Sequence, residues 1–384
     1  MPAAPEGGRA GWRRHAPWLA AQVALWVAVA AILRLALVPG ESCPAVGRAE
    51  AARAIDAGAD WLVEGQRPDG RFRYGYLADE GRPAPGYNVT RHAGVMDALY
   101  RVGRVGPANA ALGYVEANLI HHDGWTAFAP SGEDANVGAA ALLAVALVHR
   151  REATGDRDHD AVLRGLGRFI VAQQRPDGSI LQYWSRATGA SVPGVFGKFS
   201  TGEAFYALAL MDRAFPGEGW LPPARRTADY LSTRRDAAEG HAFRQSDHWA
   251  AYGLATLAPA GLTEAEAGYA RWLAGYFGFL VRLESQRVGR PLNPFSESGA
   301  SLGTVGEGTT ALWRLAGSDP RLADLRDRLG DRSACLAGIL VERQVARTAP
   351  DPSARGAWFA DGYTQMDDQQ HAVAALLGAL PALG

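Results

Sequence analysis

The sequence predicts an all-α chain: an (α/α)6 toroid of six outer–inner helical hairpins, preceded by one N-terminal transmembrane helix. Three observations carry this reading. Six uniformly apolar segments recur along the chain, more amphipathic segments alternate with them, and one uncharged stretch near the N-terminus is long enough to cross a bilayer. Helices apolar on every side belong inside a structure, and amphipathic ones outside.

The first element is Ala16 to Leu33, which holds no charged residue and is extended past Arg34 by Leu35 to Pro39. About 20 residues at 1.5 Å rise span a hydrocarbon core. Arg34 falls near the outer end, where its head group can snorkel to the interface. Arg9, Arg13 and Arg14 precede the stretch, so the positive-inside rule puts the N-terminus in the cytoplasm and everything after the span outside. Residues 1–15 thus read as a cytoplasmic tail, 16–39 as a signal anchor, 40–49 as a linker and 50–384 as the toroid domain. A cleaved signal peptide is the competing reading, but the apolar stretch exceeds a usual signal core and no small-x-small site follows cleanly.

The apolar helices of the toroid are expected to start near Asn88, Asp134, Ser200, Asp247, Thr304 and Asp367. Between them lie more amphipathic segments, such as Tyr269 to Gln286 and Arg332 to Gln344. A phrase, Gln66-Arg67-Pro68-Asp69-Gly70-Arg71-Phe72, returns as Gln174-Arg175-Pro176-Asp177-Gly178-Ser179-Ile180 after an amphipathic stretch each time. Pro-Asp-Gly is turn chemistry that stops a helix. No run of alternating residues predicts a strand.

Composition narrows the function. The 384 residues carry 39 Lys+Arg against 40 Asp+Glu, a balance that lacks the basic excess of a nucleic-acid footprint. Hydrophobic residues at 48% supply a large core. Two cysteines exclude a disulfide-dense scaffold and a four-cysteine zinc site. No phosphate loop, nucleotide fingerprint or Gly-x-Ser-x-Gly elbow is present, so no cofactor is expected. Lys198 is the single lysine in an arginine-rich chain, a skew that fits GC-rich bacterial coding.

In an alternating ring the inner helices all start at one end, so polar residues at those starts converge on a central cleft, aided by positive helix ends. Asp368, Asp367, Glu203, Asp247 and His371 are the catalytic candidates, with Glu133 and Glu307 as further carboxyls. Asn88, Arg91, His92, Lys198, His248, Trp249, Trp184, Tyr87 and Tyr363 are the substrate-binding candidates. Asn88, Asp134, Ser200 and Thr304 are equally explained as N-caps. Asp367 and His371 share a helix face at i,i+4, which suits proton transfer and equally suits a structural hydrogen bond. Arg91 suits a carboxylate or sulfate on an acidic sugar. Aromatic residues in the loops, including Tyr74, Tyr76, Trp125, Tyr183, Phe196, Phe243 and Trp358, suit stacking on sugar rings, and about half are expected at the cleft. His121-His122-Asp123 reads as a solvated turn. His92, Asp247, His248 and His371 have no spacing that requires a metal, and none is expected.

The hairpin pattern resembles the six-hairpin α/α-toroid enzymes, which include many glycoside hydrolases, some polysaccharide lyases and sugar epimerases. The repeated phrase is similar to the Gln-x-x-x-Gly-x-Trp repeat of terpenoid cyclases, with Phe72 and Ile180 in place of the Trp. The acidic Asp-x-Asp-Asp of those cyclases is represented only by Gln365-Met366-Asp367-Asp368, which lacks the first Asp. The resemblance implies a membrane-anchored extracytoplasmic enzyme acting on envelope glycan, most simply a glycoside hydrolase with a carboxyl pair. The alternatives are a sugar epimerase or lyase using His and Arg, a terpenoid-cyclase-like enzyme, and a non-catalytic glycan-binding or scaffold toroid. A carboxyl pair about 5–10 Å apart across the cleft favours hydrolysis. Two facing histidines favour epimerisation, and a filled cleft favours a scaffold.

Ring closure also bears on the cysteines. Cys43 follows the anchor and Cys335 lies in the last outer segment, so closing the ring can bring them together in an oxidising compartment. The alternative is two unrelated thiols, with Cys335 a small buried apolar residue.

Overall fold

The computed structural model describes residues 8–37, 41–286 and 299–384. Residues 1–7 of the expected tail and the junction 38–40 lie outside the described residues, as do the side chains of Arg9, Arg13, Arg14 and Arg34. Helix α1 (Gly8–Leu37) contains the predicted span; its window Ala16–Leu33 has a mean hydropathy of 1.9 and no buried residue.

The rest forms outer–inner pairs in chain order: α2 (Arg48–Glu64) with α3 (Val89–Arg101), α4 (Val105–Glu116) with α5 (Val137–Thr154), and α6 (Asp160–Ala172) with α7 (Ser200–Ala214). α8 (Leu221–Thr233) follows, then the short α9 (Arg235–Ala238) and its inner partner α10 (His248–Leu257). α11 (Glu264–Ser285) pairs with α12 (Gly299–Ser318), and α13 (Arg326–Arg343) with α14 (Met366–Ala379). Each inner helix packs on the next, and α14 returns against α3 and α2 to close the ring. The inner helices are buried nearly all round: in α5 every residue from Val137 to Val148 is buried. Their small residues let neighbouring chains approach closely. Gly303 of α12, for example, lies where a Cβ would sit 2.6 Å from the His371 backbone carbonyl carbon.

The repeated phrase has one structural meaning in both places. The Gln66 side-chain amide donates to the Pro107 carbonyl at 2.9 Å, and that of Gln174 to the Pro223 carbonyl at 2.8 Å. Gly70 and Gly178 have φ of +84° and +91°, and a Cβ there would lie 2.4 and 2.1 Å from the carbonyl oxygens of Ala110 and Arg226. Each phrase therefore stitches the end of one outer helix to the next outer helix, and only glycine fits the stitch.

Strands are present where none was expected. β1 (Gly75–Leu77), β2 (Arg82–Ala84), β3 (Leu119–His122), β4 (Trp125–Phe128), β5 (Ala135–Asn136), β6 (Tyr183–Ser185), β7 (Ala190–Ser191) and β8 (Tyr363–Gln365) are two to four residues long. That is too short to display a period of two. β8 pairs antiparallel with β1, setting Gly75 opposite Gln365 and joining the last hairpin to the first.

Cys43 and Cys335 form a disulfide with Cα atoms 4.8 Å apart. The segment after α1 lies along α13: Pro44 occupies the space left by Gly338, whose Cβ would sit 2.1 Å from the Pro44 carbonyl oxygen. Glu41 pairs with Arg332 at 3.0 Å and approaches Arg282 at 3.8 Å.

Candidate active site

A cavity of about 430 Å³ lies where the inner helices start. All six contribute: Asn88, Thr90 and Arg91 at α3, Asn136 at α5, Ser200 and Glu203 at α7, His248 and Trp249 at α10, Thr304 at α12, and Asp367, Gln370 and His371 at α14. The loop before α7 adds Gln182, Tyr183, Lys198 and Phe199.

Eight of the expected site residues are brought together here: Glu203, Asp367, His371, Asn88, Arg91, Lys198, His248 and Trp249. Asn88 also caps α3, its side chain accepting from the Arg91 backbone N–H at 3.0 Å. Thr90, Gln182, Phe199 and Gln370 were missed, and of the loop aromatics expected at the cleft only Tyr183 and Trp249 line it. Trp125, Tyr76 and Trp358 are buried packing residues.

The other six expected site residues lie outside the cavity lining. Asp368 caps its own helix, its carboxylate accepting from the Gln365 backbone N–H at 2.7 Å. Asp247 caps α10 through the N–H groups of Trp249 and Ala250, at 3.0 and 3.2 Å, and accepts from Arg235 at 3.1 Å. His92 and Tyr87 belong to a buried network beside the cavity. His92 Nε2–H donates to the Ala111 carbonyl at 3.1 Å, which leaves Nδ1 to accept from the Tyr87 hydroxyl at 2.6 Å. Tyr87 in turn accepts from the Phe72 N–H at 3.1 Å. Burial pushes His92 down to about 4, so it is neutral. Trp184 packs edge-on to Trp125 at 5.1 Å, and Tyr363 lies in β8; neither lines the cavity. His121 and His122 are in β3 rather than a turn; His121 bonds the Thr126 hydroxyl at 3.0 Å and His122 pairs with Asp123.

The polar centre is built around Glu307 on α12. His371 Nδ1–H donates to its Oε2 at 2.5 Å, the Tyr252 hydroxyl donates to its Oε1 at 3.2 Å, and His248 Nε2 stands 3.9 Å from the same Oε2. The two imidazoles lie 5.1 Å apart, edge to face. Burial disfavours charge on His371, but Glu307, Asp367 and Asp368 together outweigh it and raise His371 to about 9. His248 goes the other way: burial, then the positive His371 and Lys198, lowers it well below its ordinary value. At neutral pH one imidazole is charged and its neighbour is not.

Two carboxyls complete the site. Glu203 lies against Gly138, where a Cβ would be 2.4 Å from its Oε2. Burial, reinforced by Asp247 and Asp367, raises its carboxyl to about 8, so it is largely protonated at neutral pH. Asp367 is held by Arg91 Nε at 3.3 Å and faces His371 Nε2 at 3.6 Å. Arg91 is further occupied by the Tyr74 hydroxyl at 2.5 Å and the Gln365 side-chain oxygen, so it orients Asp367 instead of waiting for an anion.

His248, Glu307 and His371 are also the group that offers metal-ligand geometry, their ligand atoms all within 4.8 Å of one another. His92 and Asp247 are turned elsewhere, to the Ala111 carbonyl and to Arg235. Two ligands on one tetrahedral zinc at 2.0–2.1 Å stand roughly 3.3 Å apart. The 2.5 Å His371–Glu307 contact is shorter than that and is a direct hydrogen bond.

A mostly helical ring of six outer–inner hairpins with a polar cleft at the inner-helix starts defines the class at the level of fold: an α/α toroid. The chain is similar in structure to the GH76A alpha-1,6-mannanase of Salegentibacter, with a TM-score of 0.59 and 14% identity over 86% of this chain and 99% of that one. It is similar to the cellobiose 2-epimerase of Spirochaeta thermophila, with a TM-score of 0.60 and 14% identity over 87% and 96%. A sugar epimerase from a ruminal bacterium gives a TM-score of 0.60 at 11% identity over 87% and 98%. No family model matches the sequence, and no curated protein does.

Proposed function

We propose that this chain is a membrane-anchored, extracytoplasmic carbohydrate-active enzyme whose cleft moves a proton on and off a sugar carbon, an epimerase-type reaction. The observation that supports this is the pair of cavity histidines, 5.1 Å apart, one charged and one neutral. His248 turns its buried Nε2 toward Glu307, which leaves the Nδ1 edge of the ring to act as base. That base takes a proton from the carbon beside an open-chain carbonyl, and the C–H electron pair becomes an enediolate. The neutral Glu203 carboxyl donates a hydrogen bond to its oxygen, as a protonated acid in an apolar site can. His371 returns a proton to the opposite face, forming the new C–H bond. After product release, proton exchange with water in the open cleft restores the starting protonation of both imidazoles. The apolar α1 supports the anchor, and the disulfide supports the oxidising side of the membrane.

Hydrolysis is the second reading, favoured by a specific observation: Glu203 is a protonated carboxyl and Asp367 a carboxylate that influences it across the same cavity. A neighbouring mannanase structure is an inactive variant lacking two consecutive aspartates, bound to alpha-1,6-mannotetrose. Here Asp367 and Asp368 are consecutive, but Asp368 is spent as a cap. Incubating the full chain with reducing disaccharides and mannose-containing glycans in heavy water separates the readings. One carbon-bound deuteron with no added water supports epimerisation, and one water gained per cut supports hydrolysis. Neither product with any of the sugars would overturn both.

A further inference from the structure

The outer helix α11 differs from its neighbours in what it shows to solvent. The exposed faces of α6 and α13 carry charges, such as Arg164, Arg168, Asp327, Arg328 and Asp331. On α11, Tyr276 and Phe279 are 38% and 56% exposed, and Trp272 stacks against Tyr276 at 5.6 Å. Arg244 lies over the ring of Trp272 at 5.1 Å, which brings the adjacent Phe243, 83% exposed, to the same side. Among the described residues, these three are the exposed large apolar side chains outside α1.

The chain itself says what lies against this face. Glu41 approaches Arg282 on α11, three residues beyond Phe279, and pairs with Arg332 on the adjacent α13. The disulfide fixes Cys43 two residues later. Only residues 38–40 separate Glu41 from the end of α1. Four peptide steps reach about 14 Å at full extension, so the anchor leaves its bilayer within that distance of Glu41. We infer that the Trp272–Tyr276–Phe279 face of α11, with Phe243, rests on the surface of the membrane that α1 spans. Aromatic side chains favour the headgroup level of a bilayer. This rests on the anchored reading of α1. Phe277 of the same helix packs on Gly308, next to Glu307, so the contact holds the level of the catalytic cleft close to the bilayer.

The test uses the full chain in native membranes, with a benzophenone amino acid in place of exposed Phe279 and, separately, of exposed Ala110 on α4 across the ring. Illumination and mass analysis should give phospholipid adducts at 279 and none at 110. Retention of the chain in the pellet after alkaline carbonate checks the anchor independently. A pelleted chain with no lipid adduct at 279, equal adducts at both positions, or a crosslink at 279 to a second copy would overturn the membrane contact and leave the anchor standing. Release into the supernatant would overturn both.

Discussion

At the scale of single residues, burial and nearby carboxylates act in opposite directions on two imidazoles. Burial alone would strip the proton from both; Glu307, the largest opposing influence, with Asp367 and Asp368, reverses that for His371 only. Glu307→Gln should therefore let burial win at His371 as well. If the charged His371 is the acid, activity in the parent is lost as pH rises through about 9, and the variant's alkaline limb moves to lower pH. The same pair bears on stability. A histidine whose folded value is raised contributes stability that is complete below its unfolded value near 6.5 and lost as pH rises through about 9. Melting temperatures at pH 6 and pH 9.5 should differ more in the parent than in the variant. An unmoved alkaline limb would remove His371 from the proton transfer.

Tyr87 gives the contrasting case. Its hydroxyl bridges His92 and the Phe72 amide in a buried network that does not line the cavity. Tyr87→Phe leaves His92 Nδ1 and the Phe72 N–H without their partner, a loss of about 1–3 kcal/mol. Chemical denaturation should show that loss while turnover per folded molecule stays within a factor of about two. A larger fall in turnover with little loss of stability would return Tyr87 to the site.

At the scale of elements, the carboxylates at the start of α14 divide into a cap and a site. Asp368→Ala should cost about 0.5–2 kcal/mol, as loss of a helix cap does, and leave KM and kcat near the parent values. Asp367→Ala should do the reverse, lowering kcat by about 10²–10⁴ if it takes part in proton transfer. Melting curves and steady-state kinetics on the two variants decide it. The sequence could not separate these neighbours, because their helix is buried on nearly every side and apolar periodicity then carries no direction. The same limit explains His92, which shares a helix start with Arg91 yet turns outward to the Ala111 carbonyl of α4. Helix starts were legible, since Asn88 and Asp247 cap the helices they announce. The start of α12 was not. Its described residues begin at Gly299, ahead of the expected Thr304. The strands of the local hairpins β1–β2, β3–β4 and β6–β7 are too short to show a period, and the β1–β8 pairing lies outside any local window.

At the scale of the molecule, a closed ring has one seam, and here the seam is held by three kinds of bond. β8 pairs with β1, α14 packs on α2 and α3, and the disulfide joins the segment before the first hairpin to the last outer helix. The covalent link spans a sequence separation of 292, so nearly the whole toroid lies inside its loop. In the chain-entropy model such a loop contributes roughly 5 kcal/mol by restricting the unfolded chain, though measured losses on removing native disulfides are about 2–5 kcal/mol. The paired variant Cys43→Ser with Cys335→Ser should fall within that range and keep its ring, because the inner helices and the β1–β8 pairing do not depend on the link. Because the unfolded chain is freer to expand without the link, the denaturation midpoint should fall and the slope should steepen. Cys335→Ser alone should be worse than the pair, since it leaves the Cys43 thiol free to form links between molecules. A paired variant as stable as the parent would show that packing along α13, with Glu41 on Arg332 and Pro44 on Gly338, already holds the segment without the bond.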